Sequence, residues 1–389
     1  MAGRAQGPGR GRPVSVRIQV ARPEMGEPEW MAVKEVIESG WVTQGPKVAE
    51  FERAMAALCG TKHAVAVSSC TTALHLALVV AGVNPGDEVI VPSMSFIATA
   101  NAVVHAGAVP VFAEVDPASF NLDLEDVRRR ITPRTRAILL VHQLGLPADI
   151  DAFAALAREK GLRLVEDAAC AIGSRYRGKP VGGHSELVCF SFHPRKIVAI
   201  GDGGMITTGS DAVAARLRLL RQHGMSVPDT VRHGSTEVVR ESYLEVGYNY
   251  RMTDIQAAVG VEQLKRLPGI LERRRGLARA YDEAFRSHPV VQTPAVPDWA
   301  EWNVQSYAVR LRGFDGPRRD AVMQGLLDRG IATRAGVMTA HREPAYAGRG
   351  LRLPVSEAAS DGSVVLPLHG GMEDATVREV AGALLEAVG

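Results

Sequence analysis

Lys196 stands in "SFHPRKIVAIGDGG" (191–204), five residues beyond Ser191, three beyond His193 and just ahead of a glycine turn. Upstream, "LRLVEDAAC" ends an apolar run with the carboxylate of Asp167 and carries Cys170 three residues later. "HAVAVSSCTTALHL" sets Ser68, Ser69, Cys70, Thr71 and Thr72 where an apolar run gives way to helical spacing, and "EVIVPSMSF" closes on Phe96. A helix start with hydroxyls and unpaired N–H groups suits a phosphate, an aromatic side chain can cover a flat ring, and a lysine amine can condense with a carbonyl. Each residue also has an ordinary reading. Lys196 could be a solvated surface charge, Ser69 or Thr71 a plain N-cap, Phe96 a core residue and Asp167 a helix cap.

A sheet must bring them together. From about residue 30 to 260, short apolar runs alternate with helical patterns: "HAVAV", "EVIV", "VPVFAEV", "RAILLV", "LRLVED", "ELVCFSF" and "GMITT" read as strands, and "TTALHLALVVAGV", "TANAVVHAG" and "IDAFAALAREKG" as helices. Strands apolar on both alternations and joined by helical crossovers predict a doubly wound α/β domain with a mostly parallel sheet covered on both faces. Ligands bind such a sheet at the carboxyl ends of its strands, where all the residues above fall. Phosphate anchor, ring platform, carboxylate and amine on one sheet edge are jointly the requirements of pyridoxal 5'-phosphate (PLP).

A chain of 389 residues is too long for a single core. We expect a flexible Gly/Pro/Arg-rich arm over 1–20, a large domain over 21–262 and a small α+β domain over 263–389. The small domain includes a basic linking helix interrupted near Pro268, and Arg273 to Arg275 read as its solvated face. A formal net charge of +2, from 45 basic and 43 acidic residues, gives no footprint for nucleic acid or a membrane surface. The four cysteines show no CxxC spacing, which argues against a zinc site or disulfide framework and fits a reducing cytoplasm. No apolar run reaches 18 residues, and the N-terminus lacks the apolar segment of a secretory signal.

The chain resembles the DegT/DnrJ/EryC1/StrS family of sugar aminotransferases, within the fold type I (aspartate aminotransferase-like) superfamily. The likeness runs through "WVTQGPKVAEFE", "SSCTTALHLAL", "PGDEVIVPSMSFIATANAV", "ITPRTRAILLVHQLGLPADID", "VEDAACAIGS", "CFSFHPRK", "GDGGMITT" and "GYNYRMTDIQAAVG". It implies that Lys196 bonds the PLP aldehyde, Asp167 pairs with the ring nitrogen, Phe96 covers the ring, and Cys70, Thr71 and Ser191 hold the phosphate. It also implies that Asn249 reaches the phosphate of a neighbouring subunit, so a homodimer with shared active sites is expected. Three positions depart from the family pattern: Cys170 stands where glutamine is usual, Cys70 where glycine or alanine is commoner, and Asp202 where glutamate is usual.

The resemblance implies amino transfer from glutamate or glutamine to a keto sugar, with Lys196 as the proton carrier and a nucleotide-linked sugar as the leading substrate class. A keto-cyclitol is the alternative acceptor. His193 and His341 are candidates for the substrate side, against a loop-fixing role for His193 and a surface position for His341. Trp299 and Trp302 read as packing residues. A deoxysugar dehydratase would carry histidine at position 196, and a PLP-binding regulator would need a DNA-binding module for which the short arm leaves no room. A nicotinamide-binding Rossmann enzyme would need a GxGxxG after the first strand, and none is present.

Overall fold

The apolar runs form strands whose alternate residues enter two different cores. In β1 (His63–Val67), Val65 and Val67 join one cluster while Ala64 and Ala66 join another. The same division recurs in β2 (Glu88–Pro92), β3 (Val109–Ala113), β4 (Thr135–Val141), β5 (Arg163–Asp167), and, beyond the short strands β6 (Arg175–Tyr176) and β7 (Lys179–Pro180), in β8 (Leu187–Ser191). With β9 (Gly204–Thr208), seven of these strands make one sheet in the order β1-β9-β8-β5-β4-β2-β3. Five run parallel from β8 to β3, and β9 is antiparallel to both its neighbours. This is the mostly parallel, doubly wound sheet that the sequence predicts. The computed structural model describes residues 15–227, 238 and 240–389, so residues 1–14 of the expected arm lie outside it.

Helices cover both faces. Cys70–Val80, Ala98–His105 and Asp211–Leu220 bury Leu74, Leu76, Leu78, Val103 and Leu217 against one face. The other receives Phe51 and Met55 of helix Pro46–Cys59, Phe153 and Leu156 of helix Ile150–Lys160, and the first half of helix Asp254–Ala284. Each fully buried side chain of this size contributes about 1.5–3 kcal/mol.

The second half of helix Asp254–Ala284 packs Leu277, Tyr281 and the following Phe285 against a smaller antiparallel sheet. Its strands are β10 (Val291–Gln292), β12 (Tyr307–Leu311), β14 (Ser363–Leu366) and β13 (Arg334–Ala335), in that spatial order, while β11 (Ala300–Glu301) pairs with β6 instead. Ile18 pairs with Ile331 at this sheet's edge, where Arg17 and Ile18 both donate their N–H to the Gly330 carbonyl.

Two expectations about the long helix are corrected. It runs unbroken through Pro268, because Leu267, Ile270 and Leu271 on its buried face offset the roughly 3 kcal/mol that a mid-helix proline costs. Nor are Arg273 to Arg275 a solvated face. Arg274 is buried, with its pKa pushed down to about 10 by that burial, and it donates to the carbonyls of Val304 and Gln305. Arg273 donates to Met372 and Asp374, and Arg275 to Trp302.

Gly204 lets β9 pass against the start of helix Cys70–Val80. A Cβ there would lie 2.3 Å from the Ser69 carbonyl oxygen and 2.7 Å from the Cys70 nitrogen. Gly204→Ala is therefore expected to destabilise the fold by about 1–3 kcal/mol through overpacking and to weaken PLP binding with it. Thermal unfolding checks this, and an unchanged melting temperature would contradict it.

Candidate active site

Adjacent parallel strands β5 and β8 end in Asp167 and Ser191, and the turns that follow carry Cys170 and Lys196. Lys196 leaves β8 in a tight turn closed by its own N–H donating to the His193 carbonyl and by Ile200 N–H donating to Phe192. Its side chain is half-buried, and Nζ donates to Cys170 Sγ at 3.1 Å. It is not a solvated surface charge. Burial draws its pKa down, but the Cys170 sulfur that accepts its hydrogen bond, with a smaller contribution from Asp167, outweighs that and holds it above the ordinary lysine value.

Asp167 is 5% exposed and makes two hydrogen bonds: Oδ2 accepts from Thr99 Oγ1 at 2.9 Å and Oδ1 from Ala169 N–H at 3.1 Å. The chain after it turns without forming a helix, so it caps none. Since Thr99 gives its proton to Asp167, the Ser95 hydroxyl at 2.8 Å must donate to Thr99. No cation lies within ion-pair distance of Asp167 among the described residues. Burial pushes its pKa up, against smaller downward effects from Ala169, Thr99, Lys196 and His142. Behind it, His142 and Glu166 form a fully buried pair at 2.8 Å, and since His142 Nδ1 accepts from Ala148 N–H, Nε2 carries the proton.

Beyond β1, Ser69 caps helix Cys70–Val80 by accepting from Thr72 N–H, which leaves Cys70 and Thr71 in the first turn as the exposed donors of a helix start. The Cys70 thiol is pushed well above its usual pKa by burial and then by Asp167, so it presents a neutral neighbour to an anion. Ser191 is 7% exposed, and its Oγ accepts from His193 N–H. Phe96 is 59% exposed at the mouth of β2, which excludes a core position. Ser68 N–H donates to the Tyr250 carbonyl, drawing "GYNYR" to the end of β1, with the Asn249 side chain exposed.

His193 accepts from Arg195 N–H through Nδ1, and its pKa is lowered by burial and then by Arg195. His341 is no surface residue: it is 4% exposed, with Nδ1 against Ser93 Oγ and Nε2 against Glu357. Both ring nitrogens are thus engaged within the chain. Trp302 donates to the Leu144 carbonyl, and Trp299 packs edge-on against Tyr176. Sequence reasoning missed Thr99, Ser95, Asn303 and Gln305. Thr99 lay three residues past Phe96 inside a quoted motif, whereas Asn303 and Gln305 arrive from more than a hundred residues away and carried no local signal.

The site fits PLP. A buried carboxylate without a cation is costly, and a protonated pyridine nitrogen would supply the missing charge. A half-buried primary amine on the neighbouring strand end and donors at a helix start complete the set. Residues 23–385 match the DegT/DnrJ/EryC1/StrS aminotransferase family. GDP-perosamine synthase of Caulobacter vibrioides is 41% identical over 371 residues, which cover 95% of this chain and 97% of that one. Among solved structures, the candidate sugar aminotransferase Spr1654 of Streptococcus pneumoniae in its PMP form superposes with a TM-score of 0.91 at 28% identity, covering 96% of this chain and 99% of that one. Its PLP form superposes at 0.89. DesV of S. venezuelae gives 0.86 at 38% identity over 92% of this chain and 94% of that one.

Because the folded pKa of Asp167 is raised, its contribution to stability is present below the unfolded carboxylate value and is lost as pH rises through the folded value. Asp167→Asn should therefore raise the melting temperature of the PLP-free protein at pH 8, with the gap closing below about pH 4, where both side chains are neutral. The same change should lower kcat by about a hundredfold or more. A variant less stable than the native protein at pH 8, or one with full activity, would contradict this reading of the carboxylate.

Proposed function

The chain belongs to the DegT/DnrJ/EryC1/StrS aminotransferase family and is a PLP-dependent sugar aminotransferase, and on that premise we propose that it moves the amino group of glutamate or glutamine to a nucleotide-linked keto sugar. The observation that carries the assignment of roles is the half-buried amine of Lys196 near the buried carboxylate of Asp167, which has no ion-pair partner among the described residues, on adjacent strand ends.

When bound, PLP supplies an aldehyde that condenses with amines and a protonated ring that takes up the electron pair of a broken C–H bond. With PLP bound, Lys196 Nζ would hold its aldehyde, and the same amine, once freed, would be the group placed to take and carry the proton of the donor α carbon. Asp167 keeps a proton on the ring nitrogen, and the Ser95 to Thr99 hydrogen bonds aim its carboxylate. Cys70 and Thr71 N–H groups and the Ser191 hydroxyl bind the phosphate, and Phe96 covers the ring. Asn249 completes the phosphate site of a second subunit, which makes the working unit a homodimer. With a keto sugar in place of the keto acid, Lys196 would be the group that moves the proton in the opposite direction, toward an amino sugar. Cys170 stands where the family usually has glutamine, would lie toward the ring of a bound cofactor, and accepts from Lys196 Nζ in the free protein.

Charge at the site favours anionic reactants. Arg195 is lowered by burial and then by the charge of Arg334, and both act on His193. Neither guanidinium has an acidic partner within ion-pair distance among the described residues. Asp202 acts on His193 in the opposite sense, yet with Arg195, Lys196 and Arg334 together the balance of charge there is positive, and a donor carboxylate or a sugar-linked diphosphate would meet it. We place the enzyme in the cytoplasm, where its four free cysteines stay reduced. Among the described residues no helix is long and apolar enough to cross a membrane.

The purified protein with PLP should be yellow, glutamate should bleach it, and a nucleotide-linked keto sugar should restore the colour. A visible band indifferent to amino acids would reject the assignment of donor. Arg334→Ala should raise KM for the anionic reactant by about tenfold with kcat little changed, and steady-state kinetics showing an unaltered KM for both reactants would remove Arg334 from recognition.

A further inference from the structure

The two peptide groups that flank Lys196 are both held by one side chain from the C-terminal part of the molecule. Gln305 Oε1 accepts from Ile197 N–H at 3.1 Å, and Gln305 Nε2 donates to the Arg195 carbonyl at 2.7 Å. Two residues earlier, Asn303 Nδ2 donates at 2.8 Å to the carbonyls of Cys170 and Ile172. Asn303 Oδ1 then accepts from Gln305 N–H at 2.9 Å, tying the two amides together. A single strap thus grips both partners of the Lys196 to Cys170 contact from behind.

The strap is buried and strained. Asn303 is fully buried and Gln305 is 6% exposed, so every polar atom in them must be satisfied within the protein. Val304 between them has a φ of +54°, a left-handed conformation that a β-branched residue strongly resists. Arg274 of helix Asp254–Ala284 holds it there by donating to the Val304 and Gln305 carbonyls at 2.9 and 2.8 Å. Tyr307, two residues on, starts β12 in the C-terminal sheet. Backbone strain on this scale persists only where the surroundings over-determine it, and here the surroundings converge on the lysine turn.

We propose that Gln305, braced by Asn303 and Arg274, is a positioning residue that sets where the Lys196 amine stands and links that position to the C-terminal sheet. This rests on Lys196 being the amine that bonds PLP. Gln305 touches no reacting atom; it acts through the lysine turn. Its two hydrogen bonds have opposite polarity, so a carboxylate in its place keeps the acceptor for Ile197 N–H and loses the donor to the Arg195 carbonyl until it takes up a proton.

The test uses the full-length, PLP-loaded protein and its Gln305→Ala and Gln305→Glu variants, with glutamate as donor. Gln305→Ala should lower kcat of the first half-reaction by roughly tenfold to a hundredfold with KM for glutamate nearly constant. It should also shift, by about half a pH unit or more, the pH at which the visible band of lysine-bound PLP changes. Gln305→Glu should recover toward the native rate as pH falls. If Gln305→Ala does not fold, the pH profile of Gln305→Glu decides alone. Native kinetics and band midpoint in the variants, or a Gln305→Glu profile parallel to the native one, would overturn the proposal. Borohydride reduction and peptide mapping of the native protein separate the two levels. Label on Lys196 with indifferent variants defeats the strap alone, and label elsewhere defeats the lysine assignment and the strap together.

Discussion

A carboxylate buried at the end of β5 with no cation within ion-pair distance among the described residues is the constraint around which the site is organised. Moving a carboxylate out of water costs several kcal/mol unless it is paired, and Asp167 is met by one hydroxyl and one N–H. Its raised pKa expresses that cost. A protein that only had to fold would be better served by asparagine there. The expense is understandable in an enzyme whose cofactor brings its own positive charge to that position.

The fold supplies what such a carboxylate needs. Adjacent parallel strands put the ends of β5 and β8 side by side, so the amine of Lys196 and the carboxylate of Asp167 issue from one edge. Gly204 allows β9 to press against the first turn of helix Cys70–Val80, bringing that turn's N–H donors to the same edge. Behind the carboxylate, His142 donates to one oxygen of Glu166 in a fully buried pair, and the other Glu166 oxygen has no hydrogen-bond partner among the described residues. The segment 303–305, just ahead of the smaller sheet, hydrogen-bonds both the Cys170 and the Lys196 turns.

The gathering of Lys196, Asp167, Phe96 and the start of helix Cys70–Val80 at one edge was legible because each lies at a strand end or within a few residues of one, and a parallel sheet gathers its strand ends. The alternation of β1 and β4 between two cores made the sheet legible for the same reason. What escaped is what depends on partners remote in sequence. Arg274 lies on a basic helix stretch that looks solvated until carbonyls from residues 304 and 305 arrive to meet it. Pro268 looks like a helix break until its neighbours are buried. For His341 the sequence leaves a substrate-side role and a surface position both open, and only the fold shows Ser93 and Glu357 closing on its ring. Cys170 was visible as a departure from the family pattern, but its contact with Lys196 appears only once the two turns are folded together.

A crystal structure of the protein grown with PLP tests the central claim most directly. A continuous bond should join Lys196 Nζ to the cofactor, and the ring nitrogen should lie within hydrogen-bond distance of an Asp167 oxygen, about 2.6–3.0 Å. A ring whose nitrogen faces solvent or another residue, with Asp167 still lacking a cation, would contradict it.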